Sequence, residues 1–219
     1  MRLRDYVGIS ERRQKQATYV MELLMVGVLF VGIERGSPEV VTNVLVCLVV
    51  IQLPPILARD YDIHMDAGLT LWITAAVFFH AIGMTGIPGG GGGFYTTLSW
   101  WDHFTHALSA SVVAAVGYAT IRALEEYTDG VSLPDRFMFV FILLFVVAFG
   151  VVWEVIEFTT GFLGTTLIGR PFLSQHGIED TMLDLVFDTI GAIVVATWGT
   201  AHLTDFSNTI GERLAARKQ

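Results

Sequence analysis

The apolar residues of this chain come in blocks rather than in stripes. Six stretches, at 17–33, 40–57, 67–87, 100–124, 137–163 and 180–203, are nearly free of Lys and Arg and run close to the 20 or so residues that cross a bilayer. A helix of a soluble domain would alternate an apolar face with a polar one at a period of 3.6. The pattern therefore predicts an all-α, polytopic membrane protein, a bundle of about six transmembrane helices. Short polar segments separate the blocks, so residues 17–203 read as a single domain. Residues 1–16 and 204–219 then form an N-terminal segment and a C-terminal tail. Pro54-Pro55 should kink or end the second helix. Ser99, three residues before Asp102, reads as a capping-box start for the fourth. The first 16 residues are too polar for a cleavable leader, and the first apolar block is long enough to stay in the membrane.

Composition agrees with this picture. The chain is 53% hydrophobic and 16% charged, against about 25% charged in an ordinary soluble domain. A formal net charge of -8 gives no sign of nucleic-acid binding. Lys15 and Lys218 are the only lysines, a usage that fits an archaeal, halophilic or high-GC prokaryote. The single cysteine, Cys47, lies in an apolar run and reads as a small hydrophobe.

Charge asymmetry predicts orientation. With both termini in the cytoplasm, the inner side carries Arg2, Arg4, Arg12, Arg13, Lys15, Arg59, Arg122, Arg136, Arg213, Arg217 and Lys218. The outer side carries only Arg35 and Arg170. The expected location is the inner or plasma membrane, with the lipid bilayer as the main partner.

Depth then organises the ionisable residues. At about 1.5 Å per residue, His80 lies about 10 Å below the outer end of the third span and His106 about 9 Å down the fourth. Glu157 and Glu154 lie roughly 9 and 14 Å down the fifth, and Asp184 and Asp188 roughly 6 and 12 Å down the sixth. Asp102 and His103 sit above His106, and Asp180 above Asp184. Buried charge in a bilayer is costly and faces a partner or a water-filled cavity. The spacings Asp102/His106, His103/His106, Glu154/Glu157 and Asp180/Asp184/Asp188 each keep one side of a helix. Four helices with polar faces at one depth form one shared pocket, the way bundle-core metal sites are built.

Carboxylates so close together cannot all stay ionised without a counter-charge. Imidazole and carboxylate without thiolate suit Zn, Fe or Mn. The expected metal ligands are His80, Asp102, His103, His106, Glu157 and Asp184, with Glu154 and Asp188 as candidate general bases. A divalent metal there could serve hydrolysis or modification of a lipid-like substrate at the outer leaflet. The same residues could instead handle protons or divalent cations in a transporter or channel. A transport path needs polar residues continuing inward, and only Glu22 and Asn43 offer themselves. Plainer roles exist for several positions. Asp102 can be a cap residue, Asp180 a first-turn acid facing the helix dipole, and His103 an interfacial residue facing water. His176 reads as solvated, and His64 and His202 as cytoplasmic. Phe94, Tyr95, Trp100 and Trp101 read as an aromatic belt at the outer interface. The glycine run Gly89 to Gly93 reads as a lid or a linker at the pocket's mouth.

The motifs "WWDHFTH", "WEVIEF" and "EDTMLDLVFDTIGA" together resemble the YjdF-like family of bacterial and archaeal inner-membrane proteins, over roughly residues 70–196. The resemblance implies an Asp-x-x-x-His helix start at Asp102 and His106, a helix carrying Glu154 and Glu157, and a final helix with Asp180, Asp184 and Asp188 running into Gly-Ala. His103 and the glycine run stand outside that pattern. The family carries no assigned activity, so the resemblance implies a fold and a motif set only.

Overall fold

A computed structural model of the chain describes residues 9–86, 92–126, 128, 130, 132–173, 176–198, 203 and 207–212. Among these the ordered elements are helices, and there is no strand. They are α1 (Glu11–Glu34), α2 (Pro38–Val50), α3 (Leu53–Tyr61), α4 (Ala67–Thr85), α5 (Phe94–Thr97), α6 (Trp101–Glu126), α7 (Asp135–Ile168) and α8 (Ile178–Trp198). Several expectations fall outside the described residues: Gly89 to Gly91 of the glycine run, His202, and Arg2, Arg4, Arg213, Arg217 and Lys218 of the charge count.

Local chemistry sets the ends. Ser10 caps α1 by accepting from the Arg13 N–H, and Ser37 caps α2 just ahead of Pro38. Asp66 Oδ1 accepts from the Leu69 N–H at 2.8 Å and starts α4. The proline pair acts as expected: the second span breaks after Val50, and Pro54-Pro55 sits in the first turn of α3, where a missing N–H costs nothing. Gly169, at φ 74°, closes α7 in the left-handed region.

Five segments are long and apolar enough to cross a membrane: Glu11–Glu34, Pro38–Tyr61, Ala67–Thr85, Trp101–Glu126 and Arg136–Ile168. The sixth expected span is α8, a 21-residue helix whose first three turns carry Glu179, Asp180, Asp184 and Asp188. Those acids interrupt the apolar pattern and are the ones that build the site. α7 is longer than expected. Its 34 residues span about 51 Å, more than the hydrocarbon core of about 30 Å. Phe158, Phe162 and Leu167 on it are exposed, as side chains facing lipid tails are.

The helices pack as two groups, joined where α4 meets α6 around Leu69, Ile73 and Ala119. α1, α2 and α4 share a core around Met25, Val44, Phe78 and Ala81. Cys47 is buried there as a free thiol among apolar side chains, as expected. α6, α7 and α8 share a second core around Ala114, Ala115, Ile142, Val146 and Ala192. α6 and α8 come closest of all, because Gly191 lacks a side chain. A Cβ there would strike the Ala107 carbonyl and lie 3.1 Å from the Ser111 nitrogen. Arg170, just past α7, donates to the Gly36 carbonyl at 2.9 Å. That bond ties the α1–α2 turn to the segment after α7 and places both on one side of the bundle, as the span count predicts.

Candidate metal centre

α6 begins at Trp101, so Asp102 is its second residue and Ser99 lies outside the helix, not in a capping box. Asp102 and His106 then project from one face of the first turns. α8 lies beside α6 at the Gly191 contact, and its i,i+4 pair Asp184/Asp188 faces them. His106 stands at the centre. Its Nδ1 is 3.3 Å from Asp188 Oδ1. Its Nε2 is 3.6 Å from Asp184 Oδ1 and 3.7 Å from Asp102 Oδ1.

These distances divide the roles. Nδ1 is within hydrogen-bond reach of Asp188 and donates its proton there. Nε2 is too far from either remaining oxygen for a hydrogen bond. It is, however, near the separation of roughly 3.3 Å expected between two ligands of one tetrahedral ion at 2.0–2.1 Å. Ligand atoms of Asp102, His106 and Asp184 all lie within 4.8 Å of one another. Asp184 is only 3% exposed, and its Oδ1 is buried without a hydrogen-bond partner. A buried carboxylate oxygen left so is costly, and a cation removes the cost. The donor set, one imidazole nitrogen and two carboxylate oxygens, fits a divalent metal of the Zn, Fe or Mn class. The Asp188–His106 pair is the carboxylate–histidine arrangement that orients a metal ligand.

α7 brings the glutamates to the same place. Gly150 lets it approach α8: a Cβ there would lie 2.5 Å from Asp188 Oδ2 and 2.9 Å from Leu185 Cδ2. One turn further on, Glu154 Oε2 accepts from the Thr181 hydroxyl at 2.7 Å, and its Oε1 is buried without a hydrogen-bond partner. Glu157 Oε1 accepts from the Trp153 indole N–H at 3.1 Å. The charges that bear on Glu157 are those of Glu154, His106, Asp184 and Asp102.

The bundle reads as one membrane family on comparison. A family model described as "Predicted membrane protein (DUF2238)" matches residues 17–205. The chain belongs to that family. It is the YjdF-like family that the three motifs resemble. A Thermotoga maritima relative, described as an uncharacterized protein, is 30% identical over 126 residues, 58% of each chain. The chain thus matches less than two thirds of that relative's length. No solved structure matches.

Within this DUF2238 member, the motif residues Asp102, His106, Asp184 and Asp188 meet, and Glu154 and Glu157 face them. His80 stands apart from the three-residue group. The Asn43 amide nitrogen donates to the Glu39 carbonyl, which turns its oxygen toward His80 Nε2 at 2.9 Å. Nε2 therefore carries the ring proton, and Nδ1 accepts from the Tyr95 hydroxyl at 2.8 Å. Both ring nitrogens are occupied by protein partners. His103 stacks its ring on Phe187, with centroids 4.2 Å apart and planes 9° apart. His176 and His64 are exposed beside Asp180 and Asp62.

Tyr95, Thr181 and Trp153 are site neighbours that the sequence reading passed over. Thr181 was the most accessible: it precedes Asp184 by three residues, on the same helical face. Tyr95 departs from the aromatic-belt expectation. It turns inward from α5, past Gly83, where a Cβ would strike its ring, and also contacts the Thr105 hydroxyl at 3.2 Å. Burial holds its phenol well above the ordinary range, so it stays protonated and donates. Trp101 is 7% exposed and donates its indole N–H to the Phe79 carbonyl, whereas Trp100 is 54% exposed and suits the belt.

Proposed function

We propose that this protein is an outward-facing membrane metalloprotein that hydrolyses or otherwise modifies a lipid-like substrate at the outer leaflet. Asp102, His106 Nε2 and Asp184 would hold one divalent transition metal, Zn, Fe or Mn, and Asp188 would orient His106. The observation that carries this reading is the buried, unbonded Asp184 Oδ1 facing an imidazole nitrogen across a ligand-to-ligand distance. A bound ion supplies Lewis acidity toward a carbonyl or phosphoryl oxygen and a lowered pKa for water. The chain's own part is to fix the imidazole, close the site on its far side and leave it open toward the start of α6.

The far side supports an enzyme over a conduit. Beyond His106 and Asp188, α6 and α8 continue as Ala110, Ala114, Ala115, Ala192 and Val195, all buried against one another. Asn43, one of the two residues that might have extended a path inward, is spent on His80 instead, one turn from Glu39 near the start of α2. Exposed apolar surface on α7 beside the glutamates suits an acyl-chain substrate.

Elemental analysis of detergent-purified protein tests the reading. Wild type should carry a transition metal, and His106→Ala and Asp184→Asn should lose it. A metal-free wild type after reconstitution with Zn, Fe and Mn would overturn it. Liposomes settle the alternative: proton or divalent-ion flux abolished by Asp184→Asn would assign the cluster to transport.

A further inference from the structure

Asp102 and His106 lie in the first two turns of α6, so their aim depends on the roll of that helix about its own axis. The Gly191 crossing holds α6 against α8 at Ala107 and Ser111, just inward of His106. The turn beyond that crossing carries Asp102 and receives no capping box from Ser99. Helix ends fray unless something ties them down.

Two side chains tie this one down. Trp101, 7% exposed, donates its indole N–H to the Phe79 carbonyl of α4 at 3.2 Å, and its ring meets the Phe79 ring edge-on. Thr105, 1% exposed, has its hydroxyl 2.9 Å from the Asp102 carbonyl and 3.2 Å from the Tyr95 hydroxyl. Tyr95 donates in turn to His80, and His80 to Asn43, so the hydrogen bonds run from α6 through α5 and α4 to α2. Gly83 seats both anchors: a Cβ there would lie 2.7 Å from the Trp101 indole nitrogen and would strike the Tyr95 ring.

The spacing converts these anchors into a roll angle. Trp101 and Thr105, at i,i+4, form one stripe of α6. Asp102 and His106, each the next residue along, form a second stripe about 100° further round. With the first stripe pinned to α4 and α5, the second is aimed at α8, where His106 Nε2 stands 3.6 Å from Asp184 Oδ1. A site about 1 Å too loose is enough to lose its function, so the pinning bears directly on the ligand set.

We propose that Trp101 and Thr105 are positioning residues for the metal ligands, a two-point clamp that sets the roll of α6 and is anchored on the Phe79 carbonyl and Tyr95. This rests on the metal reading above: Asp102, His106 and Asp184 hold the ion, and the clamp sets how tightly and in what geometry. A merely structural role would lower the melting temperature and leave the affinity and geometry of the bound ion alone. The clamp moves both.

The test uses Co2+ as the probe, titrated into the full-length detergent-purified protein and read by affinity and by visible absorption, which reports coordination geometry. Thr105→Val keeps the shape of the side chain and removes the hydroxyl. Trp101→Phe keeps a ring and removes the N–H. Each variant should bind Co2+ about 10–100-fold more weakly than wild type, with an altered absorption band, the range seen when a residue that orients a ligand is lost. Thr105→Ser, which restores the hydroxyl, should recover the wild-type affinity and spectrum. Wild-type affinity and spectrum in both Thr105→Val and Trp101→Phe would overturn the clamp and leave the metal site standing. A Thr105→Ser variant as weak as Thr105→Val would also overturn it, because the loss would then follow the methyl group and not the hydroxyl. Wild type that binds neither Co2+ nor Zn2+ removes the metal reading and the clamp with it. If one of the two variants fails to fold, the other decides.

Discussion

His106 is fixed by what its two nitrogens face. Asp188 takes the Nδ1 proton, so the Nε2 lone pair is directed at Asp102 and Asp184. Asp188→Asn should weaken metal binding by roughly 10–100-fold without abolishing it, the usual penalty for losing a residue that orients a metal-bound imidazole. Competitive chelator titration of wild type beside the variant measures this. The sign of the pH dependence follows from the ligands: carboxylate and imidazole bind metal only when deprotonated. Affinity should therefore fall as pH is lowered, and the same titration at stepped pH should show protons released on binding. An affinity that rose toward acid would contradict the ligand set. His80 should behave differently. With both nitrogens hydrogen-bonded to Asn43 and Tyr95, Tyr95→Phe should lower thermal stability while the metal stoichiometry stays unchanged. His106 was legible in the sequence because it is deep and lies at i,i+4 from Asp102. The partners of His80 were not, because Asn43 and Tyr95 are 37 and 15 residues away and only packing brings them in.

At the scale of elements, the site depends on how closely three helices approach. Two glycines set that approach, Gly191 against the α6 backbone and Gly150 against Asp188. Gly191→Ala must push α6 and α8 apart, since the obstruction is backbone and cannot rotate away. It should cost about 1–3 kcal/mol, and the metal should be lost ahead of the fold because both ligand pairs straddle that crossing. Melting curves of the variant with and without metal check this. Apolar blocks revealed the helices, and the proline pair revealed the break between α2 and α3. The sixth block marked α8 as well, and the depth reading put Asp184 and Asp188 inside it, where both are buried. The capping-box reading of Ser99 failed. The turn at 98–100 is set by Trp101 N–H donating to the Leu98 carbonyl and by the inward packing of the Trp101 ring, not by a side-chain cap.

For the whole molecule, the described turns fall on two sides, and the Arg170–Gly36 bond joins two of those on the site's side. The charge distribution predicts that this side is the exterior. In a Cys47→Ala background, Glu34→Cys should react with a membrane-impermeant maleimide added to intact cells, and Ser132→Cys should react only after the membrane is permeabilised. Both positions are exposed. The reverse labelling pattern would invert the protein and move the site to the cytoplasmic face. Sidedness relative to the bundle was readable from span count and short loops. The arrangement of the cores was not, because alternating spans do not say which helices become neighbours.

His106 and Asp188 are 82 residues apart, and α7 lies between the helices that carry them. During synthesis, α6 must enter the membrane with Asp102 and His106 exposed, and it stays so until the last helix arrives. The centre cannot form on a partly made chain. An ion held by Asp102, His106 and Asp184 could be captured only after α8 has been inserted and seated, so a loaded centre would be a mark of completed assembly. A nascent chain truncated before residue 178 would be left with unneutralised polar groups at membrane depth, a signal that quality-control proteases can act on.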